Sequence, residues 1–73
     1  MTKGLYTLYD RKAGCYGTIF IEHSNETACR LVAEAKIPYK NDMELYQIGE
    51  YDMKSGKITA YEKPEFIQNL VEG

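Results

Sequence analysis

A chain of 73 residues with a formal charge of −2 has room for one core and one domain, and a domain this short buries only about 60% of the surface its unfolded chain exposes. Such domains need a disulfide framework, a metal or a partner chain; two cysteines without C-x-x-C spacing and a single histidine exclude a structural zinc site, leaving self-association. Acids and bases are interspersed, which argues against a binder that works by neutralising long runs of phosphate.

The predicted elements begin with a strand over residues 5–10, "LYTLYD". The polar turn "RKAG" then leads to a second strand over 16–22, and so short a turn favours an antiparallel hairpin. Ser24 is a good N-cap, with Glu26 at the positive end of the helix dipole, and a helix is predicted over 24–36. Ala28, Leu31, Val32 and Ala35 form one apolar stripe, while Glu26, Arg30 and Glu34 mark the solvated side. Pro38 disfavours helical geometry at Ile37 and stops the helix near Lys36. A third strand is predicted over 44–51, then a turn "DMKSGK" in which Asp52 caps backbone amides and Gly56 takes the left-handed conformation. The returning strand "KITAY" ends at Pro64, and "PEFIQNLV" is predicted to be a short C-terminal helix with Phe66, Ile67, Leu70 and Val71 facing the body. The expected fold is therefore α+β: about four strands in ββαββ order forming an antiparallel-rich sheet, with the 24–36 helix on one face, in a single domain over 1–73.

No apolar run reaches the length of a signal peptide or a membrane span, so the expected setting is a reducing cytoplasm with both cysteines as thiols. The stretch "GEYDMKSGKI" resembles a phosphate-binding loop only superficially. Lys54 stands where the second glycine belongs, Gly56-Lys57 is followed by isoleucine, and a strand begins where a helix should. His23 reads as a solvent-facing residue at a strand end and Cys29 as a small core residue. The acids Asp10, Glu22, Asp42, Glu44, Glu50 and Asp52 lie at strand ends and loops, and so small a chain has little depth for a cleft that would join two of them. No enzyme, metal or cofactor is expected.

Seven tyrosines with no tryptophan are more than one small core needs. Strand alternation puts Tyr6 with Leu8 on one face and Leu5 with Tyr9 on the other, and likewise separates Tyr46 and Ile48 from Leu45 and Tyr51. If the turn pairs Tyr51 with Ile58, Tyr61 falls opposite Ile48 on the Tyr46 face. Both sheet faces then carry large apolar groups, and one helix of about three turns covers only one of them. The second face either packs on another copy or offers its rings to unpaired bases, with Arg11, Lys12, Lys57 and Lys63 meeting phosphates at the edges.

Two segments carry a family resemblance. "YTLYDRKA" at 6–13 and "DMELYQIGEYDMKSG" at 42–56 are similar to motifs of the small nonstructural protein of gokushoviruses, tailless Microviridae bacteriophages with single-stranded DNA genomes. An aromatic segment at 16–20 and a helix carrying Ala28 and Arg30 fall between them in the family's order, although Gly17, Thr18 and Ile19 replace the prolines often found there. The resemblance implies a non-virion protein of the infected bacterial cytoplasm that binds DNA and assists genome synthesis or its coupling to packaging. The expected function is single-stranded DNA binding, with Tyr6, Tyr46 and Tyr61 stacking and Arg11, Lys12 and Lys57 contacting phosphates, in a homo-oligomer with a dimer as first choice. The alternative is a homo-oligomeric module that acts on a phage or host protein, such as a replication protein, without touching DNA.

Overall fold

In the computed structural model, residues 1–71 are described. The chain runs β1 (Thr2–Asp10), β2 (Cys15–Tyr16), β3 (Phe20–Glu22), α1 (Asn25–Glu34), a 3-10 turn at Lys40–Asp42, β4 (Met43–Asp52) and β5 (Ile58–Asn69). All neighbouring pairs are antiparallel in the order β2-β1-β4-β5, with β3 also against β1 on the β2 side. The sheet curls into a half-barrel beside the one α-helix. The mixed α+β class agrees with the expectation, but the order is βββαββ.

The expected 16–22 strand is broken at residues 17–19. The Thr7 hydroxyl donates to the Gly17 carbonyl at 3.1 Å and the Thr18 carbonyl at 3.2 Å, and the Gly17 amide donates to the Leu8 carbonyl at 2.8 Å. A side chain thus takes two carbonyls that a regular ladder would use, and the strand resumes only at Phe20 opposite Tyr6.

The β1–β2 and β4–β5 hairpin turns share one design. Asp10 and Asp52 each stand four residues before a left-handed glycine, Gly14 at φ 71° and Gly56 at φ 76°, and each glycine amide donates to its aspartate carbonyl at 2.8 Å. The carboxylates accept from amides within the turn, Asp10 from Lys12 and Ala13, Asp52 from Lys54. Tyr51 pairs with Ile58, as the turn requires.

The C-terminal segment is not a helix. β5 continues through Pro64 to Asn69, with residues 61–64 bulging opposite Ile48 between the pairs Gly49↔Ala60 and Gln47↔Glu65. β5 is an edge strand, and at a bulge on such an edge proline's missing amide costs no ladder bond. Beyond the bulge Phe66 meets the Tyr46 ring, while Ile67 packs against the core and Leu70 is buried in it.

α1 begins as expected. The Ser24 amide donates to the Thr27 hydroxyl at 3.0 Å and the Thr27 amide to the Ser24 hydroxyl at 3.3 Å, a reciprocal cap in which threonine replaces the usual acid. The helix ends at Glu34, two residues before Lys36, where Ala35 turns extended. The Lys40 ammonium, itself buried, caps the C-terminal end by donating to the Ala33 carbonyl at 3.0 Å. Ala28 and Val32 pack on Tyr6, Leu45 and Leu70 to form the core, but Leu31 is 44% exposed, so the stripe is covered over only part of its width.

Candidate nucleic-acid interface

The opposite face of the sheet has no helix over it. Cross-strand partners share a face, so the register lays out its side chains in rows. At one end Lys3, Tyr51 and Ile58 stand side by side, then Ile21, Leu5, Gly49 and Ala60, then Thr7, Tyr46 and Phe66, and finally Tyr16, Tyr9, Glu44 and Asn69. Leu5 and Thr7 are buried at its centre, yet Leu5 is not part of the core under the helix. Tyr16, Ile21, Ile58 and Phe66 are each at least 45% exposed.

Four rings form one continuous cluster at one end of this face. Ring centroids lie 4.8 Å apart for Tyr9 and Tyr16, 6.3 Å for Tyr9 and Tyr46, 5.6 Å for Tyr16 and Tyr46, and 5.7 Å for Tyr46 and Phe66. Most of these pairs are edge-to-face, which leaves ring faces and edges of Tyr16 and Phe66 open to solvent. The arrangement follows from register: Tyr9 pairs with Tyr16 across one ladder, and Tyr46 pairs with Phe66 across another.

Polar groups fix the rim of the cluster. The Tyr46 hydroxyl donates to Glu44 at 2.7 Å, and the Arg11 guanidinium donates to Glu44 and Asn69, each at 3.0 Å, and also to the Asn41 carbonyl. The bond to Glu44 pushes the Tyr46 phenol up to about 12, because ionising it would set a second negative charge against the carboxylate. The same bond, aided by Arg11, holds the Glu44 carboxyl below its usual range. Lys12 extends from the adjoining turn, 4.0 Å from Asp42 and largely exposed.

The expected stacking residues do not come together. Tyr46 lies in the cluster, but Tyr6 is 1% exposed, sits under the helix and donates its hydroxyl to Asn25 at 2.6 Å. Tyr61 shares the Tyr6 face: it is two residues from Thr59, which pairs with Glu50, which pairs with Gly4. Its hydroxyl donates to Glu50 at 2.9 Å, and burial together with that bond pushes the phenol up to about 12. The irregularity at Ile48 is what moves Tyr61 off the Tyr46 face, and alternation counting cannot register an inserted residue. Arg11 and Lys12 sit at the cluster end, while Lys57 lies in the turn at the far end, beyond a ten-residue strand that spans about 30 Å.

A family model described as Phage ORF5 protein matches residues 3–73. The chain belongs to the Phage ORF5 protein family. It is therefore a phage protein. No curated protein and no solved structure matches it. Among the described residues of this ORF5 family member, no helix is long and apolar enough to cross a membrane.

The register adds residues that sequence reasoning did not select. Tyr9, Tyr16 and Phe66 complete the cluster, and Lys3 is the cation standing on the face itself beside Tyr51. The signal for Tyr9 and Tyr16 was available, since a hairpin closing through residues 11–14 pairs Asp10 with Cys15 and Tyr9 with Tyr16. Phe66 was hidden by the expectation of a helix after Pro64. On the helix side of the sheet an open apolar groove of about 480 Å³ lies between α1, β1, the 15–18 segment and the start of β4, lined by Leu8, Tyr16, Phe20, Leu31, Ile37 and Met43, so that Tyr16 borders both the groove and the ring cluster.

Proposed function

We propose that this phage accessory protein binds single-stranded DNA along the helix-free face of its sheet. The observation that carries the reading is the continuous Tyr9, Tyr16, Tyr46 and Phe66 cluster on an uncovered face, with Arg11 and Lys12 at its own end and Lys3 and Lys57 at the other. Bases of any identity stack on aromatic rings, each worth roughly 1–3 kcal/mol, and cations at both ends suit a strand that runs parallel to β1 and β4. The likeness of residues 6–13 and 42–56 to the gokushovirus nonstructural protein supports a reading in which this activity serves genome replication, or its coupling to packaging, in the host bacterial cytoplasm. No catalytic residue, metal or cofactor enters the reading.

The charges set its character. Arg11 and Lys12 already face Glu44 and Asp42, so phosphate contacts compete with internal pairs. With at most four cations engaged, the plot of log affinity against log salt has a slope of roughly −3 or shallower for a single strand. A salt-titrated assay with single- and double-stranded oligonucleotides tests this: the single strand binds more tightly, and Tyr16→Ala with Phe66→Ala weakens it at least tenfold. Absence of binding at low salt sinks the proposal.

The apolar groove favours a second reading. In it the chain is a homo-oligomeric interaction module, a dimer first of all, that closes the groove against another copy and acts on a phage or host protein. An assembled oligomer that binds no oligonucleotide would select this reading over the first.

A further inference from the structure

Tyr39 is the only non-glycine residue with a left-handed backbone among the described residues, at φ 62°, and the residue is 73% exposed. A bulky residue is disfavoured there, and asparagine or glycine would hold the same turn with less strain. The fold therefore tolerates a cost to keep a tyrosine at a position that stands mostly in solvent. The ring lines an open pocket of about 470 Å³ with Asp10, Lys12, Ala13 and Asp42. This pocket lies at the end of the sheet that carries the aromatic cluster: Asp10 follows Tyr9 and pairs with Cys15, the neighbour of Tyr16, and the Arg11 amide donates to the Asp42 carbonyl at 2.9 Å.

We infer that this pocket takes one nucleobase of the bound strand, stacked on Tyr39, and that it prefers bases bearing an exocyclic amino group. The inference rests on the single-stranded DNA reading and extends its track from the sheet face around the β1–β2 turn. Lys12, whose ammonium is 4.0 Å from Asp42 and largely in solvent, stands where the backbone of such a strand passes. The Asp10 and Asp42 carboxylates accept hydrogen bonds only; one Asp10 oxygen already takes the Lys12 and Ala13 amides, and the remaining oxygens match the amino groups of cytosine, adenine and guanine, whereas thymine offers a single ring N3–H and no amino group. Stacking alone would leave all bases equal. The carboxylates give the pocket a preference that the sheet-face cluster lacks.

The test compares labelled twelve-nucleotide dC and dT strands at low salt by fluorescence anisotropy, with urea melts of every variant. The expected result is that the natural chain binds dC at least threefold more tightly than dT. Tyr39→Asn removes that difference and weakens dC binding severalfold while raising the urea midpoint, because the strain is relieved. Tyr39→Phe retains both affinity and preference, and Tyr16→Ala weakens both strands with the preference intact. If Tyr16→Ala weakens binding but Tyr39→Asn binds dC as the natural chain does, the pocket is overturned and the sheet-face reading stands. Equal binding of dC and dT by the natural chain also overturns the pocket. Absence of binding to either strand overturns both readings together.

Discussion

Tyr46 and Glu44 show how two side chains two positions apart on one strand can set each other's chemistry. Because the folded Tyr46 phenol titrates at about 12, above its ordinary value of 10.0, folding holds that proton more tightly than the unfolded chain does. Its stabilising contribution is whole below about pH 10 and is lost as pH rises toward 12. Glu44→Gln removes the opposing charge, so tyrosinate absorbance should show one phenol returning toward its ordinary range, and the alkaline loss of stability should shrink. An unchanged tyrosinate titration in that variant would mean that the carboxylate is not the cause. Tyr6 illustrates the limit of reading single residues. That it shares a face with Leu8 is legible in the sequence, but which face the helix covers is not, because that depends on where the chain crosses after β3. The helix came down on the Tyr6 side, and the ring expected to meet a base instead fills the core against Ala28 and Val32.

Among the elements, those with local signals were legible. Ser24 begins the helix, Asp52 and Gly56 shape the hairpin, and Tyr51 meets Ile58, all within a few residues of the signals that specify them. Elements whose state depends on distant partners were not. Pro64 marks a boundary by its own chemistry, yet the sheet edge makes it harmless, and the split between β2 and β3 follows from a Thr7 hydroxyl ten residues away from Gly17. Two substitutions separate these classes. Ser24→Ala loses a local cap and should cost about 1 kcal/mol in chemical denaturation. Gly49→Ala should cost about 1–3 kcal/mol, since its added carbon would press into the Thr59 carbonyl and stand 3.2 Å from the Ala60 Cα, where backbone must move. A Gly49→Ala chain as stable as the natural one would show that the β4–β5 contact is looser than described.

For the molecule as a whole, the buried hydrophobic set is Leu5, Tyr6, Ala28, Val32, Leu45 and Leu70, a small core divided between two sides of one sheet. A core of that size is what motivates the dimer reading, and Leu31 on the rim of the apolar groove is the residue such a contact would use. If copies join there, Leu31→Glu should shift light-scattering mass to the monomer and leave the proposed oligonucleotide binding, which uses the groove only at Tyr16, within about twofold. Loss of DNA binding in a folded monomeric variant would instead show that the two faces act as one site. The architecture also has a temporal consequence. β1 is made first but lies inside the sheet, with Thr2 opposite Asp52 and Asp10 opposite Met43, so its inner neighbour leaves the ribosome only after the hairpin and helix have been synthesised. Contacts so distant in sequence close slowly. Until then Tyr6 and Leu5 lack their β4 neighbours, and a chain truncated before Met43 has synthesised its central strand without the partner that encloses it.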